Sequence, residues 1–344
     1  MPISLRTSRR CTACAAILAG TFLLTVSAMA PTYAARHLMK IPLSIEASTV
    51  STGTADLLDA AALAKGKLII DSSVPITVNQ RVTVEDPSDA NTATLQSAVQ
   101  MTRDDRTGAG AIVNASVDRS TVHRRTGLAV ADPAGSIQST SGKPADPVAH
   151  EGLQFKFPFD AQKQSYPYFD TTLRASYNVD FAAEDTLAGI PVYRFHQEIA
   201  PTAVGGAITL PASNWGREGT APMTLKRFYG ITRDLWVEPV SGAIVQVQQR
   251  YRQYFASAVN ATDSITIIDV SPKLDAQTQA EQIERAVTYK NLIQWGTVYG
   301  PTIGGVVGLL LLAGGLFLGV TSKRQQAPTA EPELPVELEL VADR

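Results

Sequence analysis

Beyond residue 14 the chain has no cysteine, and the two it has, Cys11 and Cys14, lie together at the start of its first apolar run. That excludes a disulfide framework. A C-x-x-C pair can serve redox chemistry or bind zinc, but this one has no second ligand pair and precedes an apolar segment, so neither use is expected. A lipoprotein cysteine would follow the apolar region rather than precede it. An excess of charge of one sign is also missing. Lys and Arg number 30 against 32 Asp and Glu, with no long basic run, so the chain lacks the electrostatic footprint of a nucleic-acid binder.

Catalytic signatures are missing too. No G-x-S-x-G elbow, H-E-x-x-H pair or phosphate-cradling glycine loop occurs. His37, His123, His150 and His196 stand singly, and His196 alternates with Arg194 and Glu198 as a solvated strand face would. Asp160, Asp170 and Asp180 suit turns, which collect aspartate for backbone reasons. No catalytic set, no metal site and no cofactor is therefore expected, and the chain is not expected to be an enzyme.

What is present is apolar. At 44% hydrophobic and 18% charged over 344 residues, the chain can pack one or two domains. Residues 11–34 carry no charge and follow Arg6, Arg9 and Arg10, the pattern of a signal peptide or an uncleaved signal anchor. Residues 297–322 form a clearer transmembrane helix, with Trp295 and Tyr299 before it and Lys323 and Arg324 after it. The charge bias places residues 1–10 and the Pro-rich acidic tail, 323–344, in the cytoplasm, the tail disordered. The intervening ectodomain is then extracytoplasmic, held at the plasma membrane. Within the second span Gly304, Gly308, Gly315 and Gly319 share an arc of about 60°, a stripe suited to close helix packing.

The ectodomain reads as strands. Ile76, Val78, Val82 and Val84 alternate with Thr77, Asn79, Arg81, Thr83 and Glu85, and similar alternation runs through Leu95 to Met101, Ala111 to Val117, Tyr193 to Ile199 and Val245 to Tyr251. One-faced burial of this kind belongs to antiparallel sheets. The expected fold is therefore mainly β: an antiparallel β-sandwich or curved sheet between an N-terminal and a C-terminal transmembrane helix. Arg125-Thr126-Gly127 and Val240-Ser241-Gly242 mark turns in two loosely similar stretches, suggesting a first β unit at 35–131 and a second at 151–274. The Gly/Pro/Ser-rich 132–150 would be a linker or long loop between them. Thr278 and Glu281 have capping-box spacing, so a juxtamembrane helix is expected across 275–296, starting near 279.

The densest aromatic stretch is FKFPFDAQKQSYPYFD, residues 155–170. Phe155, Phe157 and Phe159 alternate as if on one sheet face, Pro158 suits an edge, and Tyr166, Tyr168 and Phe169 return as a stiff run. Plain core is one reading. The other is an apolar wall left open at an edge, to which Tyr193, Phe195 and Trp236 would add, with membrane lipid as occupant and the 201–222 loop carrying Trp215 as a cover.

EGLQFKFPFDAQKQSYPYFDTTL, GIPVYRFHQEI, RFYGITRDLWVEPVSGAIV and ARHLMKIPLSIEASTVSTGTADLLD together resemble the actinobacterial porin PorA family, over nearly the whole chain. The resemblance implies an actinobacterial envelope protein and favours an uncleaved first span. It implies channel formation through some members and, through relatives in mycolate-bearing bacteria, movement of trehalose mycolates beside an RND-type lipid exporter. It supplies no catalytic residues. A barrel crossing a membrane needs apolar lipid-facing strands, whereas helical anchors are present here. The expectation is accordingly an ectodomain that binds envelope lipid noncovalently and assists mycolate-type lipid transport or assembly, partnered by membrane lipids and an RND-type exporter or another envelope membrane protein. A channel-forming porin and a structural scaffold of an envelope complex are the alternatives.

Overall fold

The computed structural model describes residues 5–324; the expected cytoplasmic tail lies outside them, apart from its first two residues, and so do residues 1–4. The chain divides into two compact units, one built from the segments flanking 36–293 and one from 36–293 itself.

The first unit is a helix pair. Helix α1 (Leu5–Leu38) contains a window of mean hydropathy 2.0, long and apolar enough to cross a bilayer. Its partner is the distal part of a continuous helical run from Ala276 to Thr321 that passes the same test at 2.3.

The second unit is mainly antiparallel β. From the N-terminal side come β1 (Glu46–Leu58), the short helix α2 (Ala60–Ala64), β2 (Ile70–Glu85), β3 (Thr92–Arg103), β4 (Ile112–His123), β5 (Gly135–Gln138) and β6 (Asp146–Val148). After an irregular crossing segment follow β7 (Tyr166–Asp170), β8 (Ala175–Leu187), β9 (Ile190–Ala203), β10 (Ile208–Pro211), β11 (Pro222–Glu238), β12 (Ala243–Ala256), β13 (Ile265–Val270) and β14 (Lys273–Leu274). Helix α3 (Ala276–Gln294) then leads through a π-helical turn, Trp295–Tyr299, into α4 (Gly300–Arg324), the second helix of the pair.

All these strands join one 14-stranded sheet in the order β6-β5-β4-β3-β2-β1-β13-β12-β11-β9-β8-β7, with β10 and β14 off the main path. Of the two expected forms, the curved sheet is the one adopted. The sheet bends round until its end strands meet: Ile137 of β5, Val148 of β6 and Phe169 of β7 form one buried cluster, and Arg174 pairs with Asp146 at 2.7 Å. The crossing segment seals this seam, since Leu153 exchanges backbone hydrogen bonds with Pro167 and Phe169 on one side while Gly152 accepts from Ala129 on the other.

Alternation explains the interior. Ile76 packs in one cluster with Met101 and Ile268, joined by Val78, while Val82 and Val84 pack against Ala93, Leu95 and Val122. Threonines, Arg81 and Glu85 take the opposite parity of β2, so burying one face of this strand leaves the other polar.

Several local expectations change. The Gly/Pro/Ser-rich 132–150 carries β5 and β6, both paired into the sheet. Helix α3 begins a few residues earlier than the capping-box spacing suggested: Asp275 accepts from the Thr278 amide at 2.7 Å and its own carbonyl takes the Gln279 amide, so Asp275 rather than Thr278 is the N-cap. Trp215 is no loop cover. It is 1% exposed, packs with Leu225, Phe255 and Ile265, and donates its indole N–H to the Met223 carbonyl.

Candidate functional site

Residues 155–159 alternate in sequence but form no strand, because their backbone groups bond to turns instead of a ladder: the Phe157 amide donates to Gly242 O at 2.9 Å. Two turn glycines flank this segment. A methyl group on Gly242 (φ +70°) would fall 2.2 Å from the Phe157 carbonyl oxygen, and one on Gly127 (φ +74°) 2.9 Å from that of Lys156. Only a residue without Cβ lets the chain pass so closely in that conformation.

Freed from strand alternation, the three phenylalanines separate. Phe155 packs with Ile41, Ala93, Leu95 and Val122. Phe157 is fully buried, stacks on Phe195 at 4.5 Å and meets Tyr166 edge-on at 5.3 Å, with Tyr168, Val179, Leu235 and Val237 around it. Phe159 instead carries the Lys156 ammonium 3.4 Å from its ring centre. Phe169 turns to the seam, and Tyr193 packs edge-on to Phe181 at 5.6 Å. Trp236 lies apart, with Val192, Val245 and Ala286, its N–H on Asp185. The nine aromatic residues thus line no common wall: Phe157, Tyr166, Tyr168 and Phe195 are the centre of a filled core with Tyr193 packed against it, Phe155, Phe169 and Trp236 belong to separate clusters, and Phe159 lies under the Lys156 ammonium.

Sequence reasoning missed the buried polar groups. Arg233 and Asp170 form an ion pair inside the sheet, Tyr229 donates to the same carboxylate at 3.0 Å, and the guanidinium lies 5.4 Å from the Tyr168 ring centre. Burial, and then the nearby Asp170 carboxylate, push the Tyr229 pKa up, and burial pushes up that of Tyr168. The legible signal was Arg233 at a position where its even-spaced neighbours Ile231, Leu235 and Val237 are all apolar. At the seam, His150 Nε2 lies 2.8 Å from Asp118 Oδ1 and Nδ1 lies 3.0 Å from the Val148 carbonyl, with Phe169 against the ring at 4.2 Å. Lys156 has a partly exposed stem but a sealed nitrogen without a hydrogen-bond partner, and burial pushes its pKa down to about 7.

An open cavity of about 450 Å³ lies on the β1–β5 part of the sheet, lined by Ser48, Asn79, Arg81, Gln100, Gln138 and Thr140 among others, and by none of the nine aromatic residues. Among the described residues, no three His, Cys, Asp or Glu side chains come together as metal ligands.

The helix pair has its own geometry. Ala13, Gly20, Ser27 and Ala34 recur every seven residues along α1, and the first three meet glycines of α4. A methyl on Gly308 would sit 3.0 Å from Gly20 O, one on Gly304 2.5 Å from Ser27 Oγ, and one on Gly315 2.9 Å from Ala13 O. Gly319, the fourth of the expected stripe, would meet nothing within 4 Å. Such contacts bring backbones together where apolar burial from water supplies no drive.

A curved antiparallel β body joined to a close-packed pair of bilayer-length helices defines a membrane or cell-envelope protein. The sequence profile of the family described as Porin PorA matches residues 12–317, and the chain belongs to that family. It is 27% identical to a Porin PorA of Corynebacterium amycolatum across 86% of this chain and 95% of that protein, and 26% identical to a Porin PorA of Corynebacterium resistens across 90% and 96%. These findings correct the functional expectation. Lipid binding and lipid transport give way, because the family and both relatives carry the name of a porin, and the aromatic stretch thought to hold an acyl chain is closed by its own side chains.

Proposed function

We propose that this chain is a channel-forming porin of the cell envelope, which passes solutes across a membrane and performs no chemistry. The observation that carries this reading is that the family match runs through both apolar helices as well as the β body, from residue 12 to residue 317. Membrane-crossing strands present an apolar outer face. Thr77, Asn79, Arg81, Thr83 and Glu85 on β2, with Gln246, Gln248, Arg250 and Arg252 on β12, are the wrong chemistry for that face. The helices are therefore assigned to the membrane and the β body to water. Arg6, Arg9 and Arg10 in the first turns of α1, with Lys323 and Arg324 at the end of α4, favour both termini inside and residues 36–296 outside.

The test is electrical. The full-length chain, purified in detergent and shown to be folded, is added to planar lipid bilayers, where discrete conductance steps are expected. Folded protein that inserts without raising conductance overturns the reading. Thiol labelling of intact cells at Ser139→Cys and Thr329→Cys, with Cys11 and Cys14 replaced, checks the orientation; reaction at the second position but not the first reverses it.

A further inference from the structure

The open cavity on the β1–β5 part of the sheet lies on its outer face. Ile76, Val78, Val82 and Val84 take the inward parity of β2, so Asn79 and Arg81 point out. The strand register carries that parity across the sheet in two adjacent rows: Val50, Asn79, Gln100 and Ala115 in one, and Ser48, Arg81, Ala98, Val117 and Gln138 in the other. Both rows line the cavity, and the inward-facing row between them offers it backbone. Small side chains at Ser48, Ala98 and Ala115 make the hollow. Its walls are held in place: Arg81 pairs with Glu46 at 2.6 Å, and Gln138 Nε2 donates to Lys143 O at 2.6 Å, which pins the loop bearing Thr140 and Ser141. The groups at the centre are left free. Among the described residues, Asn79 and Gln100, directly opposite each other, make no side-chain hydrogen bond, whereas Thr77 and Thr83 on the same face of β2 donate to Asp104 at 3.1 Å and to Glu85 at 2.8 Å.

The lining has no carboxylate and no aromatic ring, and its one cation is already neutralised by Glu46. A charged ligand therefore finds no counter-ion here. Side-chain amides donate and accept together, as pairing with a hydroxyl or an acetamido group requires, and Ala115 directly beside Gln100 leaves room for a methyl. A volume of about 450 Å³ falls within the range of small-molecule pockets. Five strands spaced about 4.8 Å apart span about 19 Å, which is longer than one sugar ring. We propose that this hollow binds a short neutral chain of N-acetylated sugars, laid across the strands with acetamido groups on Asn79 and Gln100 and their methyls toward Ala98 and Ala115. The site belongs to the β body alone and does not rest on the channel reading.

Full-length protein, folded in a detergent without a sugar headgroup, is titrated by calorimetry with the β-linked tetramer of N-acetylglucosamine and with cellotetraose, which carries hydroxyls in place of the acetamido groups. Saturable binding of the first is expected, about tenfold tighter than of the second. Asn79→Ala and Gln100→Ala should each weaken it about tenfold. Ala115→Trp, which fills the hollow from an exposed position, should abolish it, while Thr77→Ala, on the same face but outside the hollow, should leave it unchanged. Unchanged melting of each variant shows that lost affinity is not lost fold. Folded protein without saturable binding overturns the proposal, and so do equal affinities for the two sugars. Binding that survives both Gln100→Ala and Ala115→Trp places the sugar elsewhere and equally overturns it.

Discussion

The two units solve packing by opposite means. In the β body, bulk does the work: Phe157, Phe195, Tyr166 and Tyr168 fill a water-excluding interior, where each fully buried large side chain contributes about 1.5–3 kcal/mol. In the helix pair, size is kept small so that backbones touch, Gly20 against Gly308 and Ser27 against Gly304. The difference follows from the solvent. Water drives aromatic surface together, whereas lipid is as apolar as leucine and leaves only close van der Waals contact and hydrogen bonds to hold helices.

The largest expected effect is in the aromatic core. Phe157→Ala should cost about 3–5 kcal/mol of β-body stability, measured by denaturant unfolding of the full chain in detergent; a loss under about 1 kcal/mol would show that the core collapses around the gap. Next comes the ion pair. Removing one partner with Arg233→Met should cost about 3–5 kcal/mol by stranding the Asp170 carboxylate, and the double change Arg233→Met/Asp170→Asn should recover part of that. Equal losses in the single and double variants would mean the pair is not coupled.

In the helix pair the sign of size reverses. Gly308→Leu should destabilise the pair by about 1–3 kcal/mol through overpacking, read as separation of fluorophores placed on α1 and α4, while Gly319→Leu, which meets nothing, should stay within about 0.5 kcal/mol. The remaining effect concerns charge, and pH sets its size. With its folded pKa near 7 against 10.5 in the unfolded chain, Lys156 takes up its proton first when unfolded, so its presence lowers stability progressively as pH falls from 10.5 to 7 and by a constant amount below that. Lys156→Met should therefore stabilise the protein at pH 7 and flatten stability between pH 7 and 10.5; an unchanged slope would mean that the nitrogen reaches water.

Legibility in the sequence followed the same division. Strands such as β2 could be read because one face is buried and the other wet, which writes a period of two into Ile76–Val84. The crossing segment imitates that period at Phe155, Phe157 and Phe159, yet its partners are turn residues 78 to 85 positions away at Pro239–Gly242, and no local pattern records them. Strands β5 and β6 were hidden by turn-forming residues because short seam strands need few apolar side chains. The glycines of α4 could be seen, but the complementary seven-residue spacing Ala13-Gly20-Ser27-Ala34 went unread, since alanine and serine are unremarked in an apolar run. The candidate lipid wall failed for a physical reason: aromatic density marks burial, and only a structure tells a filled interior from an open one.

The strand order has a consequence for how the protein is made. Strand β1 pairs with β2 on one side and with β13 on the other, Ala55 opposite Val270 and Leu57 opposite Ile268. While the polypeptide is being synthesised, the second partner of β1 is the last strand of more than two residues to emerge, so an unpaired edge stays available to stray strands for most of that time. Closure over such a sequence separation is slow. Assembly of this envelope protein therefore begins with a vulnerable half-sheet, and a chain cut short before Ile265 should be prone to aggregate rather than to fold as a smaller version of the whole.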